Sequence, residues 1–132
     1  MESLELTALT PEIEKAVKSY SKDVEKAIIE KLDYTADQIL DYIKDNAPRT
    51  PWTKEHLGDS FIKETYGEGV NTTIVIYSKT KGYLVHLVEL GFKHRGGKLV
   101  AARPFMRPAY DEFSPKMLED IKKIINGGGG SV

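Results

Sequence analysis

Cysteine is absent from this chain of 132 residues. That excludes a disulfide framework, a thiolate nucleophile and any zinc site built on cysteine. Histidine is scarce: only His56, His86 and His94 occur. None lies three or four residues from another histidine or a suitably paired carboxylate, so no metal site is expected. No apolar run approaches the roughly 18 residues of a spanning helix, and no membrane contact is expected. The opening stretch MESLELTALTPEIE is acidic and lacks a basic segment followed by an apolar one. It does not read as a signal peptide, so the protein is expected to be made and kept in a reducing cytosol unless a larger assembly carries it out. An excess of one charge is missing as well, with 19 Lys and Arg against 20 Asp and Glu. Internal repeats are absent too.

What is present describes an ordinary folded domain. Hydrophobic residues make up 40% and charged residues 30%, which fits neither a disordered nor a membranous chain. The length fits one domain, expected to span 1–126, able to bury roughly two-thirds of its unfolded surface. The balanced charge is unevenly placed. Residues 1–46 carry 11 acids and 6 bases, whereas 69–110 carry seven bases and the single acid Glu89. The bases are Lys79, Lys81, Lys93, Arg95, Lys98, Arg103 and Arg107. Such a basic stretch can meet an external polyanion. Alternatively, acidic and basic parts face each other, within one chain or between copies.

The pattern of elements predicts an α+β fold: a long N-terminal helix, a small antiparallel sheet, a short helix and a C-terminal helix. Residues 11–45 show apolar positions at spacings of three and four, from Ile13 through Val24, Ile28, Leu32 and Ile39 to Ile43. Thr10-Pro11 reads as a cap followed by proline at the first helical position. An unbroken helix of that length would reach ~50 Å, beyond the ~26 Å expected across a compact chain of this size. It should therefore break near Asp33-Tyr34-Thr35 or project at one end. Two prolines in Asn46–Pro51 end it. A hairpin is predicted over 60–78, turning at Gly67-Glu68-Gly69, with its second strand central. Residues 83–90 fit a short helix closed by Gly91, or a strand. Phe92–Lys98 reads as a cationic loop and 99–102 as a further strand. Pro108 opens the final helix over 109–125, and 127–132 is a glycine-rich, linker-like tail.

Little here suggests turnover. Gly91 and Gly96 have the gap of a phosphate loop, but Gly97 takes the lysine position and Leu99 follows Lys98. Glu89 stands among Leu87, Val88 and Leu90, so its carboxylate needs a partner. An ion pair with Arg103 or Arg107 is expected, in preference to a general base without a nucleophile or second acid nearby. His86 reads as structural. No cofactor is expected.

Two stretches carry a resemblance. Tyr83-Leu-Val-His-Leu-Val-Glu89-Leu-Gly91 resembles a "Tyr…Val-Glu-Phe-Gly" signature. Arg103-Pro104-Phe105-Met106-Arg107-Pro108-Ala109 resembles "Arg-Pro-Phe-Leu-x-Pro-Ala". Ala47-Pro48 followed by Leu57-Gly-Asp-Ser60-Phe61 is similar to a third stretch. These belong to the small minor tail components of long-tailed phages and prophages, the gene-product-ten-like tail-completion or head–tail joining proteins. Lys54 and Glu55 depart from the family's Thr-Gly, so the turn before the first hairpin strand is remade. The resemblance implies a non-enzymatic virion protein, passing through the host cytoplasm during assembly. It implies a hexameric ring at the head-proximal end of a tail, with tail-tube and neck or connector proteins as partners and DNA passing by. Candidate contact residues are Lys93, His94, Arg95, Lys98, Arg103, Phe105 and Arg107, although Phe105 reads in the first place as a plug of its own subunit's core. Tyr83, Glu89, Gly91, Pro104 and Pro108 are candidate motif residues of structural importance, the two prolines bracketing a rigid non-helical turn that presents Phe105 and Met106.

Overall fold

The computed structural model describes residues 3–8, 22–48, 56–93 and 96–126. The architecture is α+β. In chain order come β1 (Ser3–Thr7), α1 (Lys22–Asn46), β2 (Phe61–Tyr66), β3 (Thr73–Ser78), α2 (Gly82–Leu90), β4 (Phe92–Lys93), β5 (Leu99–Val100) and α3 (Met106–Asn126).

The main sheet is antiparallel in the order β1-β3-β2, so β3 is central, as its partly apolar faces predict. The β2–β3 hairpin turns through Gly67 and Gly69, both at positive φ (80° and 56°). The third strand differs from expectation. Residues 99–102 do not join this sheet; Leu99–Val100 pairs instead with Phe92–Lys93 in a separate two-stranded ribbon. The place beside β3 is taken by β1, with Leu4 opposite Ile76 and Leu6 opposite Ile74. The five residues Ser-Leu-Glu-Leu-Thr alternate polar and apolar, and Leu4 and Leu6 are buried while Glu5 is exposed.

One face of the sheet carries Leu4, Leu6, Phe61, Ile74 and Ile76, all buried. α1 packs there through Val24, Ile28, Leu32, Ala36, Ile39 and Ile43. Of the two alternatives, a break or a projecting end, the break at Asp33-Tyr34-Thr35 does not occur. Thr35 is buried and its hydroxyl donates to the Lys31 carbonyl at 2.9 Å, which leaves the helical backbone continuous. Residues 11–21, and with them the Thr10-Pro11 cap, lie outside the described residues, as do Lys54-Glu55 and the tail 127–132. α1 is clasped to the sheet by Lys63 of β2, whose ammonium meets Asp33 at 2.6 Å and Asp37 at 2.7 Å. α3 runs against α1: Tyr42 and Phe113 stack edge to face with centroids 6.1 Å apart, and Lys31 pairs with Asp120 at 2.8 Å.

The segment 83–90 is helical, and Gly91 closes it at φ 76°. α3 starts at Met106, three residues earlier than the pattern suggests. Pro104 and Pro108 therefore do not bracket a non-helical turn. Pro108 is the third residue of the helix, where its missing N–H costs no intrahelical bond.

Candidate functional site

Helix α2 is unusual in what it hides and what it shows. Val85 and Glu89 face inward, 0% and 5% exposed. Tyr83, Leu84 and Leu90 face outward, 78%, 42% and 57% exposed. Tyr83, Leu87 and Leu90 stand at i, i+4 and i+7, with Leu84 beside them, so the outward stripe is apolar. His86 is exposed on α2.

Glu89 explains the inversion. Its Oε1 accepts from the backbone N–H of Phe105 at 2.9 Å and of Met106 at 3.1 Å, and its Oε2 accepts from that of Arg107 at 3.0 Å. These are orphan donors of the first turn of α3, and the negative group sits at the positive end of that helix. The expected ion pair with Arg103 or Arg107 is thus replaced by a helix cap supplied from sixteen residues away. The physical reason is local. Backbone donors already fixed at a helix end serve a buried carboxylate without stripping water from a guanidinium. The Arg107 side chain lies out in solvent near Asp111, Nε to Oδ1 3.5 Å. Arg103 contributes its backbone, donating to the Val88 carbonyl at 2.8 Å, and its side chain is exposed.

Gly91 completes the joint. A Cβ there would stand 2.8 Å from both the Val100 carbonyl oxygen and the Ala102 amide nitrogen. The chain at 100–102 therefore passes directly over the end of α2. The two motif stretches, Tyr83–Gly91 and Arg103–Ala109, are one interlocked unit. Phe105 is 1% exposed and packs edge to face on Phe61 at 5.8 Å, so it fills its own subunit's core and offers no surface to a partner. Pro104 is exposed and Pro108 half-buried.

From this unit the β4–β5 ribbon extends, and Lys93, Lys98, Leu99 and Val100 on it are exposed. His94 and Arg95 lie outside the described residues. Of the large hydrophobic side chains exposed among the described residues, only Tyr34 and Tyr66 lie elsewhere; Tyr83, Leu84, Leu90, Leu99 and Val100 all belong to α2 and this ribbon. The exposed apolar side chains are thus concentrated on these two elements, and the ribbon adds Lys93, across from Leu99, and Lys98, next to it. Among the described residues, no cluster of histidine, aspartate and glutamate could hold a metal ion. No helix among them is long and apolar enough to cross a membrane.

Residues 12–91 match the family model described as "Bacteriophage HK97-gp10, putative tail-component". The chain belongs to this family. The matched residues are more than half of the tail component and include α1, the β2–β3 hairpin and α2 up to Gly91. The Arg103–Ala109 string lies past the match, tied to it by the three bonds to Glu89. No curated protein and no solved structure matches the chain.

Sequence reasoning could identify Glu89 as a lone acid needing a partner, and it could identify Gly91. It did not find the cap, because backbone donors leave no residue signature. Nor did it find the outward apolar stripe, which looks like core in a sequence.

Proposed function

We propose that this phage tail component is a tail-completion or head–tail joining subunit that closes into a ring at the head-proximal end of a tail. It works by surfaces, without turnover, as one domain through residue 126. The observation that carries this reading is the face of α2. A family member of a virion structure holds its signature helix with the acid inward and the leucines outward, and pins it there with three backbone bonds. A soluble subunit that never met a neighbour would gain nothing from that arrangement, whereas an assembly buries it.

The test is mass measurement and electron microscopy of the purified protein, alone and with tail tubes and neck proteins. Rings, or a collar on tube ends, are expected. A monomer that binds neither tubes nor neck at high concentration overturns the reading.

A second reading has one observation behind it. Among the described residues, Lys93, Lys98 and Arg103 make no ion pair, which leaves them available to DNA phosphates. Binding whose logarithm falls linearly with the logarithm of salt concentration would support it.

A further inference from the structure

The uneven charge of the sequence allowed acidic and basic parts to meet within one chain. Among the described residues they do not. The ion pairs found are Lys31–Asp120, Lys63 with Asp33 and Asp37, and Arg107–Asp111. None joins the acidic 1–46 stretch to the basic 69–110 stretch. Both signs are left facing outward.

Each sign also has its own organised surface. On α1, Glu30, Tyr34, Asp41 and Asp45 fall within about 60° of arc at 100° per residue, a stripe ~22 Å long. Among the described residues no ion pair engages Glu30, Asp41 or Asp45, and Tyr34 between them is 57% exposed, with the Lys31 ammonium 5.1 Å from its ring centroid. On the α2 and ribbon unit, Leu84, Leu90 and Leu99 are exposed, as are Lys93, Lys98 and Arg103; Lys93 pairs across the ribbon with Leu99, which is 77% exposed.

We propose that these two surfaces mate between copies: the α2 face and ribbon of one subunit dock on the acidic stripe of α1 of the next, Lys93, Lys98 and Arg103 meeting Glu30, Asp41 and Asp45. The occupant is a second copy of this chain. Opposite charges on unlike surfaces give a head-to-tail contact, the kind that closes a ring or extends a filament. DNA suits this face less well. Phosphates would satisfy the cations and leave Leu84, Leu90 and Leu99 in water, whereas a helix flank carrying Tyr34 offers apolar area as well. The inference rests on the ring reading above and names its contacts.

The test is charge exchange in the full chain. One variant carries Lys98→Glu with Arg103→Glu, the other Asp41→Lys with Asp45→Lys. All four positions are exposed, and circular dichroism checks that both variants fold. Light scattering should show at least tenfold weaker association for each variant alone and recovery in an equimolar mixture, where each reversed surface meets its complement. Wild-type association should weaken as salt rises. If the wild type assembles and either variant assembles equally well, or the mixture fails to recover, this pairing is wrong while the ring reading stands. If the Lys98 and Arg103 variant assembles normally but loses retardation of DNA, the basic face serves nucleic acid and the pairing is overturned. A wild type that never assembles, alone or on tail tubes, removes the ring reading and the pairing together.

Discussion

Helices α1 and α2 sort their side chains in opposite ways. α1 puts Ile28, Leu32, Ile39 and Ile43 inward, each 0% exposed, and shows acids and lysines to water. α2 puts a carboxylate inward and shows Tyr83, Leu84 and Leu90. The first is held by apolar burial, roughly 1.5–3 kcal/mol for each large side chain. The second is held at its C-terminal end by hydrogen bonds that the first N–H groups of α3 donate to its one acid. An amphipathic helix finishes its folding inside its own subunit. α2 is anchored by Val85 and one polar joint and leaves apolar area exposed.

The sharpest way to break this contrast is Glu89→Ala. It removes the acceptor of three N–H groups at a buried helix end, and we expect a loss of about 3–5 kcal/mol in urea unfolding. Glu89→Gln keeps one carbonyl acceptor but turns an amide NH₂ toward a donor, so a loss of about 2 kcal/mol is expected. An unchanged midpoint for both would show that the cap does not hold α2. Next comes Ile39→Ala in α1, which opens a cavity in the core and should cost about 3 kcal/mol. Its counterpart Leu84→Ser on α2 should move the stability of the isolated subunit by less than about 0.5 kcal/mol. The same substitution should weaken assembly. A large loss of monomer stability would show that Leu84 is core after all. Between these stands Gly91→Ala, with a positive φ and a Cβ 2.8 Å from two backbone atoms. It should cost about 1–3 kcal/mol, mostly as strain at the joint.

Much of the fold can be read from the sequence because periodicity reports burial. The spacing of Val24, Ile28, Leu32, Ile39 and Ile43 marks α1, and Gly67 and Gly69 mark the hairpin turn. β1 was not legible in that way. Five residues with two leucines carry too short a pattern to separate a strand from a loop, and only the partner β3 gives them a place. The early start of α3 was hidden for a different reason. Two prolines four apart suggest an irregular turn, yet the cap that lets Met106 begin a helix comes from Glu89, far back in the chain. The candidate site was legible as motifs and as charge. Which of its residues face out was not, because α2 breaks the rule by which outward faces are inferred. Phe105 is open on sequence between a partner contact and its own subunit's core, and its burial decides for the core.

A second carboxylate sharpens the comparison at its weakest end. Glu64 on the outer face of β2 accepts from the Tyr66 hydroxyl and from the Tyr77 hydroxyl at 2.5 Å. Like Glu89 it accepts from more than one donor, but it is only half-buried. The hydrogen bonds from Tyr66 and then Tyr77 hold the Glu64 carboxyl below its ordinary 4.5, against a smaller opposing effect of desolvation. Chiefly through its hydrogen bond to Glu64, the Tyr77 phenol is pushed up to about 12 from an ordinary 10.0. The signs then differ at the two ends of the pH scale. The contribution of the lowered Glu64 is present above 4.5 and fades as pH falls through its folded value. That of the raised Tyr77 is present below 10.0 and fades as pH rises through about 12. Alkaline titration of tyrosinate absorbance should show Tyr66, which donates to the same carboxylate, ionising above its ordinary value, and Tyr77 near 12. Glu64→Gln should return Tyr77 toward the ordinary value with little change in the unfolding midpoint at neutral pH, since exposed pairs contribute little. A drop in stability matching that of Glu89→Gln would mean that the number of donors, and not their burial, sets the strength of a carboxylate joint in this protein.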